Sequence, residues 1–412
     1  MNPKFCYITG RLALAASLIT GALFCIPAAA LAAVLFSDDF NTNSSSLWTV
    51  NCAPAANSNL QSATFAFDYS PFGIPAAPGS SDTLGLQLRA NIPGGAAAPV
   101  TTRPAGVLSG LSVSPTGQNF GNSYHLSFYA WANFNGAPNA SGLADNGASE
   151  GGTYNIMFAV GTSGTVPLVV GNTTLVSGGA MDGIGFATTD DGGIANDYRV
   201  YPKSGTFVPG ATPGVYAAGT TSNTFPYYVA IATLAPHTAP AVQQSLSTAE
   251  YGADAANTQA GQTQAGAFGF AWHKVDLIKN NNIVTWTIDD VLIATYDTII
   301  FSAGLGGNNI GLGVSDVNTS TTRHPSLVFT IIDNLLVTDI PAPPTLQASV
   351  TSGNLNLSWP QTNGGGYVLE YAGSLSAPIL WTNVVATVVT NGSTFSVSVP
   401  ATNAQSYFRL KQ

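Results

Sequence analysis

The chain has 412 residues, only 8% of them charged, and its 11 basic and 20 acidic side chains give a formal net charge of −9. So few lysines and arginines do not provide the basic surface that nucleic acid or an anionic membrane requires, which excludes both as partners. The surface must be covered largely by neutral polar groups. Such surfaces suit neutral hydrogen-bonding partners such as glycans, and many inert secreted β proteins also carry them.

Residues 1–32 predict a secretory signal peptide. Lys4 and Arg11 precede an apolar run over residues 12–26, and Ala30-Leu31-Ala32 is a small-x-small cleavage site. The alternative, a membrane anchor, is disfavoured because the run is interrupted by glycine and proline and ends in the cleavage pattern. The remaining chain has no stretch near the roughly 18 apolar residues of a membrane span. We therefore expect a secreted, extracellular or cell-surface-associated protein.

After the signal, short runs of alternating apolar and polar residues are punctuated by Gly and Pro, and no segment keeps a helical period. This pattern predicts an all-β fold of antiparallel sheets, as in sandwiches and barrels; the family resemblance described below implies that it is an antiparallel jelly-roll sandwich followed by a small β-sandwich module. The first module spans residues 33–340. Its clearest predicted strands are 35–40, 124–131, 154–160 and 326–337, together with three runs between 272 and 296.

Two long stretches interrupt these strands, at residues 132–152 and 203–265. Both are rich in Gly, Ala, Asn, Thr and Pro and carry scattered aromatic residues. Loops of this length are unusual in a compact domain and are either functional or poorly ordered. We expect surface loops that cross one edge of the sandwich.

The stretch 272–296 holds three β runs separated by turns. Val275 and Leu277 alternate with polar residues, and the turns at 280–282 and 289–290 contain Asn and Asp, which tolerate left-handed backbone. The order Trp-His-x-Val-x-Leu, a polar turn, then Val-x-Trp-x-Ile-Asp-Asp-x-Leu-Ile resembles the signature hairpins of laminin-G-like, concanavalin A-like jelly rolls. It is most similar to secreted jelly rolls of polysaccharide-rich environmental bacteria. The resemblance implies that the first and last strands pair, so that residues near 36 and 333 are neighbours.

A Pro-rich segment, residues 341–345, predicts a stiff linker to a second β module over residues 346–412. The runs at 355–359, 367–371 and 407–410 resemble strands B, C and F of a fibronectin type III-like sandwich. That family continues into a seventh strand, which this chain lacks. The module is therefore either a shortened variant or a sheet with an edge left open for pairing.

Acids suited to cleaving polysaccharides are scarce. Glycosidases pair two carboxyl groups roughly 5 to 9 Å apart, which jelly-roll enzymes carry at alternate positions of one strand. The only glutamates are Glu150, Glu250 and Glu370, and none belongs to a Glu-x-Asp-x-Glu run. The histidines lack both an evident catalytic partner and the compact spacing of a zinc site. We therefore favour a protein with no catalytic residues.

The densest acid cluster lies between Asp182 and Asp197 in a Gly-rich stretch. Calcium binds carboxylate and carbonyl oxygens, and glycines let carbonyls approach closely. Asp190, Asp191 and Asp197 are therefore candidate ligands of a structural Ca²⁺ ion. The alternative for this stretch is a solvated turn.

A second candidate calcium site follows from the resemblance alone. Several carbohydrate-binding jelly rolls share a calcium between an acid near the first strand and the Asp of the final strand. Asp39 and Asp333 match those positions, with Asp38 as a second acid beside the first strand. A satisfied polar pair is the alternative interpretation.

Glycan recognition requires aromatic faces flanked by hydrogen-bonding side chains. The candidates are aromatic residues at predicted strand ends or in loops: Trp131, Tyr198, Tyr201, Tyr227 and Tyr228. The remaining tryptophans considered, Trp48, Trp272, Trp286 and Trp359, are expected to pack in cores.

These patterns indicate an exported carbohydrate-binding or adhesion protein without catalysis, whose partner is a glycan or a cell-surface or matrix polymer. One alternative is a secreted polysaccharide hydrolase or lyase that uses the Asp-rich loop. Another is a structural matrix protein that assembles through the edge of the second module. The sequence leaves the oligomeric state open.

Overall fold

In a computed structural model, the chain forms two compact units. One spans Val34–Asp339, and the other contains Ile340–Gln412 together with the short strand β1 (Cys6–Ile8). Within the described residues, no helix is long and apolar enough to cross a membrane. The described residues are 6–8, 32–53, 55, 60–90, 109–136, 154–169, 181–193, 196–203, 205–251, 259, 261–301, 304–316, 325–340, 343–361, 366–402 and 405–411.

The first unit is built from antiparallel strands in two sheets. Sheet I has the order β10-β9-β8-β14-β6-β3, and sheet II has the order β13-β12-β11-β7-β15-β5-β4 with β2 also paired to β15. The strands are β2 (Val34–Asp38), β3 (Trp48–Ala53), β4 (Ser62–Asp68), β5 (Leu84–Arg89), β6 (Gly110–Pro115), β7 (Ser123–Asn133), β8 (Tyr154–Thr162), β9 (Ile184–Thr189), β10 (Tyr198–Tyr201), β11 (Trp272–Asn280), β12 (Ile283–Ile288), β13 (Val291–Asp297), β14 (Asn309–Asp316) and β15 (Phe329–Asp339).

The core lies between the two sheets. Trp286 of sheet II is fully buried, and its ring centroid lies 5.7 Å from that of Phe158 and 5.4 Å from that of Phe186, both on sheet I. Edge-to-face and tilted aromatic contacts of this kind add to the free energy gained by burying the rings. The predicted all-β sandwich is confirmed, as is the core position of Trp286.

The pairing expected between the first and last strands is also present. Phe36 of β2 lies opposite Val337 of β15, and Asp38 lies opposite Leu335. The predicted hairpins are confirmed as β11, β12 and β13, with β11 pairing with both β7 and β12. At the second turn, Asp289 and Asp290 have φ of 49° and 64°, the left-handed backbone that a two-residue hairpin loop favours.

In its described part, the stretch 203–265 consists mainly of loops and turns, as predicted, but it also includes two short helices and several buried side chains that the prediction left out. It contains α1 (Pro226–Val229) and α2 (Val242–Tyr251). Tyr228 and Leu234 are fully buried, and the buried Gln243 amide donates to Asn133 Oδ1 at 2.7 Å. The α2 sequence is short and largely polar, so it lacks the apolar period that identifies a helix. Of the other predicted loop, residues 137–152 lie outside the described residues.

The second unit contains two small antiparallel sheets, with orders β16-β17-β21-β20 and β1-β22-β18-β19. Trp359 is buried in its core with Phe395 and Phe408, as expected for Trp359. Of the predicted signal peptide, β1 and residue 32 are described; β1 pairs with Ser406–Phe408 at the edge of β22. The strands are β16 (Gln347–Thr351), β17 (Asn354–Pro360), β18 (Val368–Ala372), β19 (Thr382–Asn383), β20 (Val389–Asn391), β21 (Thr394–Pro400) and β22 (Ser406–Lys411).

Candidate ligand-binding face

The outer face of sheet II carries a row of half-exposed side chains at its centre. Along β7, Leu126 and Phe128 point into the core and are fully buried. Because successive side chains of a strand point to opposite faces, His125, Ser127 and Tyr129 point outward, and each is half-exposed. The face is therefore presented by a strand with hydrogen-bonded neighbours on both sides.

Register adds charged groups from β11 to this row. Lys274 lies directly opposite Tyr129, and Asp276 lies opposite Ser127. Directly opposite residues of an antiparallel pair share one face, with Cβ atoms roughly 4.5–5.5 Å apart. We call His125, Ser127, Tyr129, Lys274 and Asp276 the outer strip.

The charged members of the outer strip hold one another in place. Asp276 Oδ1 lies 2.6 Å from His125 Nε2, and Oδ2 lies 3.0 Å from Lys274 Nζ. Burial alone would raise the pKa of Asp276, but the hydrogen bonds and charges of His125 and Lys274 outweigh burial and lower it. The carboxylate is thus ionised at neutral pH and fixes the side chains of His125 and Lys274 against the sheet.

Neutral hydroxyls extend the face beyond the outer strip. Thr287 and Thr285 of β12 lie opposite Asp276 and Ile278, and Thr295 of β13 lies opposite Thr285. All three threonines are half-exposed. The outer strip is therefore flanked on this side by groups that both donate and accept hydrogen bonds.

Trp272 closes one end of the outer strip, two residues before Lys274. It is half-buried, and its indole N–H donates to the Pro75 carbonyl at 2.8 Å. Its ring makes edge contacts with Tyr69 and Trp131, whose centroids lie 5.5 and 5.9 Å away. The expected core position of Trp272 is therefore met only in part, because the ring reaches the surface.

Four of the five aromatic residues expected to bind a glycan are buried. Trp131 is 4% exposed, and Tyr198, Tyr201 and Tyr228 are fully buried. Tyr198 stacks on Tyr228 with centroids 4.3 Å apart. A stacking platform needs one open face, so these four rings pack the protein interior in this conformation. Tyr227 is half-exposed, and its hydroxyl donates to the Leu292 carbonyl at 2.8 Å.

The acids of the 182–197 stretch are buried and bonded to the protein itself. Asp190 Oδ1 accepts from the backbone N–H of Tyr154 and of Asp191, at 3.1 and 2.8 Å. Asp197 accepts from the Thr189 hydroxyl at 2.6 Å and from the Asn223 N–H at 3.0 Å. Burial, together with the adjacent Asp191 charge, raises the pKa of Asp190. These contacts fix loops to the end of the sandwich.

Asp39 and Asp333 lie in different surroundings. Asp39 is exposed and accepts from the Asn41 N–H at 3.2 Å. Asp333 is fully buried and accepts from the hydroxyls of Tyr69 and Ser80, both at 3.1 Å. Asp38, the alternative acid of the first strand, is also hydrogen-bonded within the protein. It accepts hydrogen bonds from the Ser44 hydroxyl and from the Trp48 indole N–H.

The candidate carboxylates with described contacts do not fit a calcium ion in this arrangement. Calcium requires several oxygen lone pairs directed at one point, whereas N–H and O–H donors point at these oxygens. Across the described residues, no group of three or more His, Cys, Asp or Glu side chains is placed to hold a metal. Asp39, Asp333, Asp190 and Asp197 each accept hydrogen bonds from the protein, and Asp191 adjoins Asp190.

Sequence reasoning did not select Tyr129, although the signal was present. The alternation Tyr-His-Leu-Ser-Phe-Tyr-Ala-Trp places Tyr129 on the face opposite Leu126 and Phe128. An aromatic residue on the polar face of a central strand is a better candidate than one at a strand end. The partners Lys274 and Asp276 depend on register, which a single strand pattern does not fix.

No family model and no curated protein matches the chain. Among solved structures, it is similar to a Bacillus subtilis protein of unknown function with a galectin-like fold, at 8% identity and TM-score 0.34, over 74% of this chain and 96% of that one. The Ca²⁺-bound lumenal domain of VIP36 matches at 8% identity and TM-score 0.32, over 74% and 89%. A glycoside hydrolase family 16 endo-glucanase from Bacteroides ovatus matches at 10% identity and TM-score 0.31, over 74% and 100%.

Proposed function

We propose that the protein is an exported, non-catalytic carbohydrate-binding or adhesion protein that acts at the cell surface or in an extracellular matrix. We place the glycan contact on the outer strip of sheet II. The observation that carries this proposal is the half-exposed ring of Tyr129 at the centre of a hydrogen-bonded sheet, beside the fixed His125–Asp276–Lys274 group.

The chemistry of the outer strip suits a sugar. A tyrosine ring offers an apolar face for the C–H groups of a pyranose and a polar tip for its hydroxyls. Lys274 and Ser127 supply hydrogen-bonding groups on either side of that ring. Because the ion pairs hold His125 and Lys274 in position, binding loses less side-chain entropy than it would on a mobile loop.

The composition supports the same partner. With 8% charged residues, the chain relies on neutral polar groups, and the threonines beside the outer strip are an example. An open sheet face makes shallow contacts, so affinity for a long polymer would come from several repeated contacts along the polymer. A polysaccharide or other matrix polymer fits such a face better than a small free sugar.

The hydrolase alternative has less support in the described residues. Asp190 and Asp197 are 2% and 1% exposed and accept hydrogen bonds from backbone N–H groups. A glycosidase carboxyl must reach the scissile bond and exchange a proton there. These two carboxyls instead hold neighbouring loops in place by accepting hydrogen bonds from their backbone N–H groups.

We further propose a signal peptide over residues 1–32, a laminin-G-like jelly roll over 33–340, a linker over 341–345 and a fibronectin type III-like module over 346–412. The hairpins β11–β13 and the pairing of β2 with β15 support the first module. The strands β17, β18, β21 and β22 around Trp359 support the second.

Substitution of Tyr129 tests the site. We expect Tyr129→Ala to weaken retention on the best polysaccharide of a broad panel by about tenfold, since about 1.4 kcal/mol of aromatic contact corresponds to that factor. Tyr407→Ala, which removes a half-exposed tyrosine from the second unit, is the matched control and should retain binding. Tyr227→Ala tests the one aromatic residue, among the five selected from the sequence, that is half-exposed in the structure. If Tyr227→Ala abolishes binding and Tyr129→Ala does not, the outer strip is the wrong site.

A further inference from the structure

Two histidines far apart in sequence meet at one end of the sandwich. His273 is on β11, and its ring centroid lies 6.5 Å from that of His237, with the ring planes at 82°. His273 has the same parity as Val275 and Leu277, so it points into the interior, where it is fully buried. His237 is half-exposed on the segment that follows Leu234.

Each histidine has one buried ring nitrogen without a hydrogen-bond partner among the described residues. These nitrogens are Nε2 of His273 and Nδ1 of His237. A buried polar atom left unpaired has lost its hydrogen bonds to water without replacement, which destabilises the fold. Two such atoms in neighbouring rings need a common explanation, and a bound ion or a bridging water are the ordinary ones.

The other ring nitrogen of His273, Nδ1, already has a hydrogen-bond partner. Its Nδ1 lies 2.7 Å from Asp289 Oδ2, and Asp289 Oδ1 accepts from the Lys274 N–H at 2.8 Å. A carboxylate oxygen at this distance accepts a hydrogen bond from an N–H on Nδ1, and in that tautomer the Nε2 lone pair is available to bind a cation.

His237 is also suited by its position to act as a ligand. Its backbone is fixed, because its N–H donates to the Thr263 hydroxyl at 2.8 Å and its carbonyl accepts from the Thr263 N–H at 2.9 Å. Its half-exposed ring gives the site a route to solvent.

We propose that His273 Nε2 and His237 Nδ1 bind one first-row divalent transition-metal ion of the zinc class, with Asp289 orienting His273. Zinc lies about 2.0–2.1 Å from each imidazole nitrogen, so binding requires both rings to turn their unpaired nitrogens toward the ion and to approach more closely than the present 6.5 Å between centroids. Carboxylate–histidine–metal chains of this form raise ligand basicity and fix the ring. The remaining coordination positions fall to water or to an oxygen ligand that enters past His237.

The test is titration of the purified full chain with Zn²⁺, followed by calorimetry and melting temperature, and with Co²⁺, followed by its visible absorption. We expect binding of one ion per chain and a higher melting temperature, because an ion that binds only the native state stabilises it. His237→Ala should raise the Zn²⁺ dissociation constant by at least about 100-fold, and Asp289→Asn should raise it by about 10- to 100-fold.

Matched controls make the result decisive. His125→Ala removes the other buried-carboxylate pair, His125–Asp276, and should leave the Zn²⁺ affinity unchanged. His273→Gln removes a core side chain, so if that variant fails to fold, the half-exposed His237 carries the test alone. No Zn²⁺ binding, or binding that His237→Ala leaves unchanged, overturns the proposal and assigns the two nitrogens to a bridging water.

Discussion

Asp333 makes the folded state sensitive to pH. Its carboxyl is fully buried and accepts from the hydroxyls of Tyr69 and Ser80 and from the Asn334 N–H. Burial, opposed by these hydrogen bonds and reinforced by the charge of Asp82, raises its pKa from 3.8 to about 6. Folding therefore favours the protonated form of Asp333.

The sign and size of the effect follow from linkage. Because the pKa is raised in the folded state, protonated Asp333 stabilises the folded protein. Its contribution to the free energy of unfolding is fully present below about pH 4 and is lost as the pH rises through about 6. One pKa unit corresponds to about 1.36 kcal/mol, so the shift changes the free energy of unfolding by about 3 kcal/mol across this window. Asp333→Asn stays neutral at every pH and should lack this dependence.

Urea unfolding of both proteins at pH 4, 5, 6 and 7 measures the difference directly, since other titrating groups are common to both. The unfolding free energy of the native protein relative to Asp333→Asn should fall by about 3 kcal/mol from pH 4 to pH 7. Asp297→Asn is the control, because hydrogen bonds from Asn282, Ile300 and Ile299 lower the pKa of the half-exposed Asp297 from 3.8. Its pH dependence therefore lies below pH 4, and the native-minus-variant difference should stay constant from pH 4 to pH 7. A native-minus-variant difference that stays constant with pH would refute the reasoning for Asp333.

Three further outcomes are expected. Trp286→Ala should lower the unfolding free energy by about 3–5 kcal/mol in urea titration, because its fully buried ring spans the two sheets; a loss below about 1 kcal/mol contradicts that core. Addition of Ca²⁺ should change the melting temperature by no more than about 1 °C, because the candidate carboxylates accept protein donors; a larger rise contradicts this. Arg409→Ala should destabilise the second unit by about 1.5–3 kcal/mol in the same titration, since it removes the 2.6 Å pair with the buried Glu370, which keeps Lys411 at 3.5 Å, and also removes the stack on Trp381; an unchanged transition contradicts it.

The fold could be predicted because its signals are local. Alternation along 272–296 fixes which face of each run is buried, and the Asn and Asp turns fix where the runs reverse. The core position of Trp286 follows from the same alternation. The segments around α1 and α2 could not be predicted, because they are ordered by contacts such as Gln243 with Asn133, 110 residues apart in sequence.

The candidate site was less accessible to sequence reasoning. Trp131 and Tyr198 stand at strand ends, where the sequence does not show whether a later segment covers the ring. Tyr198 is covered by Tyr228, and Trp131 by Trp272. The approach of His237 to His273 likewise depends on tertiary contacts that no local spacing encodes.

The central claim is that the protein binds a polysaccharide without cleaving it. The most direct measurement incubates the purified protein with a broad polysaccharide panel and scores retained protein and released sugar in the same tubes. We expect retention on at least one polymer with no release of sugar. Release of sugar would contradict the claim and assign function to the Asp182–Asp197 stretch, and the absence of both retention and release would favour a structural matrix protein.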